Sequence, residues 1–396
     1  MRSLFPCQFR PNAEELDKLW NTCIFVVDAN VLLNLYRYSV DTRQALQHAL
    51  TSVQTRLFIP HQAAKEFLKH RLGVTAGQAS EYATAIRSLQ DLMSALSNTK
   101  KHPFLPEAEL PKFLSHAKEV VAHLETQKAA LHNRLTNDEI LDYVQETFEG
   151  RTGQPFTDAE LTALAAEGAT RYQNQVPPGY KDGKKDTSTD PYKKYGDLIV
   201  WKQLIAQAKA EEKPVVFITD DQKEDWWLEQ SGRKIGPRIE LREEFLSEVQ
   251  AGFWMYTVDK FVEMSARRSN TKVSSDAIAE IIEVRQHDWE YNDSFEAFMS
   301  IPREELLERL AGVEYSAEAE GGRIVGVNAF VDGHLKNVGY DPDYSYHVLE
   351  QLEVEGLVEI YEHDMDGKEP PIRAVRLVRH PRQVGRPHRA VGALVN

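Results

Sequence analysis

The hydrophobic pattern of this chain predicts short, wholly apolar strands separated by amphipathic helices. Residues 24–27, Ile-Phe-Val-Val, form an unbroken run of β-branched and aromatic residues, as in a strand buried on both faces, and the run ends at Asp28. Leu57-Phe-Ile59 is a second run, stopped by Pro60, and Val215-Val-Phe-Ile-Thr219 a third, ending in Asp220-Asp221. Residues 238–241 and 253–256 are further candidate strands. Helical spacing lies between them: Leu16, Leu19 and Trp20 in 12–21; a helix start at 31–38; a helix from Ser39 or Asp41, either a plausible cap, to about residue 50; and Ala64, Phe67, Leu68 and Leu72 after Pro60. Gly196-Asp197 introduces a helix with Leu198, Ile199, Trp201, Leu204, Ile205 and Ala208 on its buried face, and Glu224-Asp-Trp-Trp227 opens another. Strands alternating with helices predict a parallel α/β sheet with right-handed crossovers, Rossmann-like in outline.

Residues 75–190 interrupt this rhythm as a long, mostly helical insertion, with helical spacing in 80–96, 113–135 and 137–148 and a capping box at Thr157-Asp-Ala-Glu160. Its last part, from Val176 to Tyr195, is polar, rich in turn formers, and carries Lys181, Lys184, Lys185, Lys193 and Lys194. One reading is a mobile surface loop. The other is a positive, Tyr-interleaved lip holding a phosphate backbone over an adjoining site.

The sequence expectation is therefore a first domain over 1–268, a polar linker at 269–275 and a smaller C-terminal α+β domain over 276–396. In that domain helices are expected over 276–290, 301–310 and 343–355, with an alternating stretch at 324–331. A hairpin is expected from 356–361 and 372–378. Helix followed by hairpin is the outline of a winged helix, but a helix bearing Glu350, Glu353 and Glu355 and no lysine or arginine suits a protein partner better than DNA. The tail from Arg373 holds six arginines and no acid, so a weak contact with nucleic acid or with the acidic domain stays open.

Charge sharpens the division. The chain of 396 residues has a net charge of −14; residues 271–396 carry 13 Lys and Arg against 24 Asp and Glu, so the first 270 are within −3 of neutral. An acidic total argues against binding nucleic acid through bulk charge, though not against a basic rim around an acidic pocket. No apolar run is long enough to span a membrane, the apolar part of the N-terminus is too short for a secretory signal, and two cysteines make neither a disulfide framework nor a zinc site. A cytoplasmic protein without a membrane partner is the expectation.

Asp28 has two readings: a cap for the helix that follows, or a carboxylate at the carboxyl end of a buried strand, where open parallel sheets place their chemistry. The recurrence of strand-then-acid at Asp220, with Asp221 beside it, favours the second. Adjacent strands would bring Asp28 and Asp220 to one sheet edge, where Glu66 and Asp197, near helix starts, can face the same spot. Carboxylates gathered that closely repel unless a divalent ion is bound, and oxygen-only ligands favour Mg²⁺ or Mn²⁺. Such a site hydrolyses phosphodiesters.

The order of these residues resembles the PIN-domain nucleases, in a PIN-like branch. The resemblance rests on Phe25-Val-Val-Asp-Ala-Asn-Val-Leu-Leu33, Ile59-Pro-His-Gln-Ala-Ala-Lys-Glu-Phe67, Pro177-Pro-Gly-Tyr-Lys-Asp182, Tyr195-Gly-Asp-Leu-Ile-Val-Trp201, Val216-Phe-Ile-Thr-Asp-Asp221 and Lys223-Glu-Asp-Trp-Trp227. It covers roughly residues 1–265 and implies that Asp28, Glu66, Asp197 and Asp220 are catalytic and bind metal, with Asp221 and Asp225 less directly matched. Asn30 and Thr219 match polar positions that would orient water or phosphate. Asp182 is either a site acid or a loop residue, Arg43 and Lys223 either phosphate contacts or surface charges, and Trp226 and Trp227 either core or base-stacking platforms. The resemblance implies a metal-dependent endoribonuclease, a toxin or antiphage-defence effector whose acidic C-terminal domain docks a regulatory protein. A structure-selective DNA nuclease is the alternative among enzymes, and a non-catalytic binding or scaffold module the alternative outside them.

Overall fold

The structure, a computed structural model, describes residues 1–98, 100, 105–106, 108–184, 190–295, 303–319, 324–335, 342–363 and 372–378. The chain divides into two compact units, Met1–Gln78 with Ala129–Tyr291 and Ala79–Lys128 with Asn292–Asn396. In chain order the elements are α1 (Ala13–Thr22), β1 (Ile24–Val27), α2 (Ala29–Arg37), α3 (Val40–Ser52), β2 (Leu57–Phe58), α4 (His61–Ser97), α5 (Leu110–Arg134), α6 (Glu139–Phe148), α7 (Asp158–Gln173), α8 (Gly196–Glu211), β3 (Val215–Ile218), β4 (Trp227–Gln230), β5 (Arg233–Pro237), α9 (Ile239–Val249), β6 (Phe253–Tyr256), α10 (Val258–Arg268), α11 (Ser275–Phe295), α12 (Arg303–Ala319), α13 (Pro342–Val354), β7 (Val358–His363) and β8 (Ile372–Leu377).

The first unit is α/β. Its main sheet has four strands, all parallel, in the order β2-β1-β3-β6. Every residue of β1 and β3 is buried, which explains why these strands are continuously apolar rather than alternating. The chain leaves β1 for β2 on one side and returns to β3 on the other. The reversal point is therefore the carboxyl end of the β1–β3 pair, where open sheets of this kind place their ligands. Val27 pairs with Ile218 there, so the residues after each strand, Asp28 and Thr219, emerge side by side.

Two expected elements are of the other kind. Residues 224–227 do not open a helix: Trp227 begins β4, which turns through Ser231 (φ 53°) and Gly232 (φ 71°) into antiparallel β5. Consecutive left-handed residues suit the twist of a two-residue hairpin, whereas Glu224-Asp225 imitates an acidic first helical turn. Residues 238–241 are no strand either; Arg238 is the cap residue of α9, whose Leu241 and Phe245, one turn apart, are fully buried. Trp226 and Trp227 belong to the core.

Beyond the polar stretch 269–274, α11 stays with the first unit: Ile281 is in its core, and Glu280 accepts hydrogen bonds from Ser39 Oγ (2.6 Å) and Thr42 Oγ1 (2.5 Å). In the second unit, Leu306, Leu310, Phe330, Val331, Leu349, Leu352 and Val375 share one small core under the antiparallel β7–β8 hairpin. This is an α+β arrangement in helix-then-hairpin order. The stretch 324–331 is not extended throughout, because Ala329–Leu335 winds as a π-helix that buries Phe330, Val331 and Leu335. Arg87, from the insertion, lies over the Tyr346 ring at 4.6 Å. The acids expected to face a partner are engaged within the unit: Glu350 pairs with Arg373, Glu355 with Arg303, and Glu353 accepts from Ile360 N. The arginine-rich tail beyond Val378 lies outside the described residues. Among those described, no helix is long and apolar enough to cross a membrane.

Candidate functional site

Asp28 caps a helix and also stands at the carboxyl end of buried β1. It is the N-cap of α2, with Oδ1 accepting from Ala29 N (2.8 Å), while Oδ2 accepts from Asn30 Nδ2 (2.8 Å) and Thr219 Oγ1 (2.6 Å). Burial, with Glu66, Asp197 and Asp221 nearby, pushes its carboxyl up to about 7 despite the Thr219 hydrogen bond. The charges of Glu66, Asp197 and Asp221 thus all act on Asp28. Asn30 and Thr219 brace it: Asn30 Nδ2 also donates to Thr219 Oγ1 (3.1 Å), Asn30 Oδ1 accepts from Asp220 N (3.0 Å), and Thr219 Oγ1 accepts from Asp221 N (3.0 Å).

The convergence expected of Asp28 and Asp220 is made by Asp28 and Asp221. Beyond the end of β3 the chain turns, with Asp221 N donating to Thr219 Oγ1 and Lys223 N to Asp221 Oδ1. Asp220 Oδ1 accepts from Val258 N (3.0 Å), at the first residue of α10, and from Arg285 Nη1 (3.3 Å) of α11, and Oδ2 accepts from Asn34 Nδ2 (3.2 Å). Arg285 also donates to Asp259 Oδ1 (2.5 Å). Burial pushes Asp220 up to about 6 although Arg285 pulls it down. Asp220 is an internal tie between β3, α10 and α11.

Glu66 and Asp197 reach the site because α4 and α8 pack tightly there. Gln62 N donates to Gln203 Oε1 (2.9 Å) across the two helices, and Gln62 Nε2 donates to Glu66 Oε1 (2.7 Å). Gly196 lets them approach, since a Cβ there would lie 3.0 Å from Glu66 Oε1. Lys223 stands among the acids, its Nζ 2.8 Å from Asp197 Oδ2, 3.0 Å from Asp182 Oδ2 and 3.1 Å from Asp221 Oδ2. Asp182 thus belongs to the site.

Asp225 organises the loop that carries Asp182. Its Oδ2 accepts from Gly179 N and Lys181 N, both at 3.0 Å, and its Oδ1 is buried with no hydrogen-bond partner. Burial, with Asp197 close by, pushes Asp225 up to about 6. Gly179 follows a cis Pro177–Pro178 bond and has φ +89°; a Cβ there would fall on the Tyr172 hydroxyl and lie 3.1 Å from the Asp197 Cβ. Gly179→Ala is accordingly expected to cost roughly 1–3 kcal/mol, through overpacking and a disfavoured φ, and to displace Asp197. A urea titration beside a metal-binding isotherm checks both effects.

The lysines are more dispersed. Lys181, Lys184 and Lys193 are exposed, although Lys181 pairs with Glu224 (2.7 Å); Lys194 Nζ lies 5.0 Å from the Tyr195 ring centroid, and Lys185 falls outside the described residues. Arg43 is not brought to the site: it donates to Leu35 O (2.8 Å) and Tyr38 O (3.3 Å) and pairs with Glu139. Sequence reasoning missed Arg285, Asp259, Asn34 and Lys234. Lys234, on β5, donates to Gln222 O (3.1 Å), and burial beside Arg285 lowers it to about 8. Asn34, a polar residue among the apolar positions of α2, was the only one with a local signal.

The donor set is all oxygen, and burial together with the neighbouring acids raises Asp28; in kind it suits a hard divalent cation. Among the described residues, however, no three acidic groups already stand in a metal-holding arrangement. A family model for the PIN-like domain matches residues 24–241, which spans every acid of this cluster and more than half of the chain. No curated protein and no solved structure matches. With the strand order, the site at the reversal point and the matched span in agreement, the chain belongs to the PIN-like domain family.

Proposed function

We propose that this protein is a metal-dependent nuclease, with RNA as the favoured substrate and Mg²⁺ or Mn²⁺ as the cofactor. PIN-like domains suggest a nuclease-type family and typically use divalent metals. The observation that carries the proposal for this chain is the crowding of Asp28 by Glu66, Asp197 and Asp221 at the sheet's reversal point. Bound among them, a divalent ion would supply Lewis-acid charge to phosphate oxygens and an activated water. Asp28, Glu66, Asp197 and Asp221 hold it, with Asp182 at the edge. Ala29 N, Asn30 and Thr219 fix the Asp28 carboxylate, and Asp225 fixes the loop bearing Asp182. The exposed Lys181, Lys184 and Lys193 attract the phosphate backbone. The toxin or defence role, and a regulatory protein docking on the second unit, extend this proposal by resemblance.

The test is incubation with labelled RNA, single-stranded DNA and flapped DNA, with and without Mn²⁺. RNA cleavage that needs the metal and disappears in Asp28→Asn and Asp221→Asn supports the proposal. Cleavage of DNA alone makes the protein a DNA nuclease, and metal binding without any cleavage makes it a binding module. Binding to single-stranded RNA should weaken with salt, with a log–log slope near −2 if about three lysines contact phosphate. Triple substitution of Lys181, Lys184 and Lys193 by Ala should flatten that slope, as read by filter binding across a salt series.

A further inference from the structure

The site contains a cation of its own. Lys223 directs one ammonium at three carboxylates, donating to Asp197 Oδ2 (2.8 Å) and Asp182 Oδ2 (3.0 Å) and ion-pairing with Asp221 Oδ2 (3.1 Å). The side chains are only partly covered: Lys223 is 24% exposed, Asp182 12%, Asp197 22% and Asp221 15%. The lysine is therefore a counter-ion at the mouth of the cluster, on a flexible four-carbon stem.

Two comparisons of size and charge bear on what it does. An ammonium holds oxygens at about 2.8–3.1 Å, whereas Mg²⁺ requires about 2.0–2.1 Å and Mn²⁺ is similarly hard. The three carboxylate oxygens around Lys223 thus stand nearly an ångström further from its nitrogen than they would from a bound Mg²⁺. Asp28 and Asp225 are also raised by their acidic neighbours, so the acids here repel one another. A dication brings more charge into less space, and it cannot share that space with the ammonium.

Resting on the nuclease reading of this site, we infer that Lys223 is a built-in competitor for the metal: a divalent cation enters by displacing its ammonium from Asp182, Asp197 and Asp221, and the freed ammonium becomes a phosphate contact beside the loaded site. The main chain stays in place during the exchange, because Lys223 N donates to Asp221 Oδ1 (2.8 Å) and the stem alone needs to swing. Before loading, Lys223 relieves repulsion among the acids. After loading, it adds a positive group next to the three exposed lysines.

Mn²⁺ affinity measured by calorimetry and by electron paramagnetic resonance on the full chain tests this in wild type, Lys223→Met and Lys223→Arg. The expectation is at least tenfold tighter Mn²⁺ binding in Lys223→Met, with Lys223→Arg close to wild type because a guanidinium bridges the same acids. Unchanged or weaker binding in Lys223→Met overturns the inference. Should that variant fail to fold, wild type alone decides through amine acylation followed by mass spectrometry, normalised to Lys260, which is 57% exposed. Lys223 should label several-fold faster with saturating Mg²⁺ than without it, and an unchanged rate overturns the exchange. If neither wild type nor Lys223→Met binds Mn²⁺, the metal-dependent reading itself falls. Binding without displacement removes only the role of Lys223.

Discussion

Asp220→Ala is expected to lose the fold before it loses any chemistry, with destabilisation of roughly 3–5 kcal/mol. The substitution leaves the Arg285 guanidinium, the Asn34 amide and the N–H of Val258 facing an empty buried position, and Asp259 alone remains to balance Arg285. It also removes the only side-chain acceptor described at the start of α10, whose own cap residue, Thr257, makes no capping hydrogen bond. Arg285→Met should be comparably damaging, since it strands Asp220 and Asp259 as two buried acids, each with a side chain 4% exposed. By contrast, Asp221→Asn removes one of several mutually repelling charges and should leave the denaturation midpoint unchanged or raised while eliminating metal-dependent cleavage. Urea unfolding of the three variants beside wild type separates these outcomes. A folded Asp220→Ala of wild-type stability that had lost only metal binding would make Asp220 a ligand and refute its assignment as an internal tie.

The second large effect concerns Asp28. Replacing it with Asn should lower cleavage about a hundred- to a thousandfold, the scale seen when one electrostatic group aimed at the reacting centre is removed. It should also change how stability depends on pH. The folded-state value is near 7 against an ordinary value of 3.8, so the folded protein holds this proton more tightly than the unfolded chain does. The resulting contribution is fully present below about pH 4 and is lost as pH rises through 7, at most about 4 kcal/mol by linkage and less to the extent that solvent reaches the site. Thermal melts of the metal-free protein between pH 4 and pH 8 should show this decline, shallower in Asp28→Asn. Saturating Mn²⁺ should flatten it in wild type as well, because the ion balances the charge whose cost the slope measures. A wild-type slope indifferent to both the substitution and the metal would mean that Asp28 is not the crowded group of this pocket.

Both predictions turn on a distinction only one residue wide. Strand-then-acid is easily recognised after β1 and β3, and it places acids at the carboxyl edge that the two paired strands share. Nearness to the strand favours Asp220, but the chain turns just after Ile218, and the partners of Asp220 and Asp221 come from elsewhere in the fold. Asp182 and Lys223 had no such signal, because a lysine and an aspartate 41 residues apart meet only once the loop after α7 has folded back. Arg285 was further still from legibility: it lies beyond a polar stretch with every mark of a linker, on a helix that packs back onto the first unit.

The sequence by itself determined the alternation of buried strands and amphipathic helices, the parallel character of the sheet, and the acids that stand at element ends. Those features depend on local periodicity and on the cost of exposing apolar surface or burying charge. Tertiary structure alone decided which of two adjacent acids faces the pocket, which cation fills it and which arginine braces it from behind. Each of those outcomes depends on a partner distant in the chain, and electrostatic energy is set by distance through space.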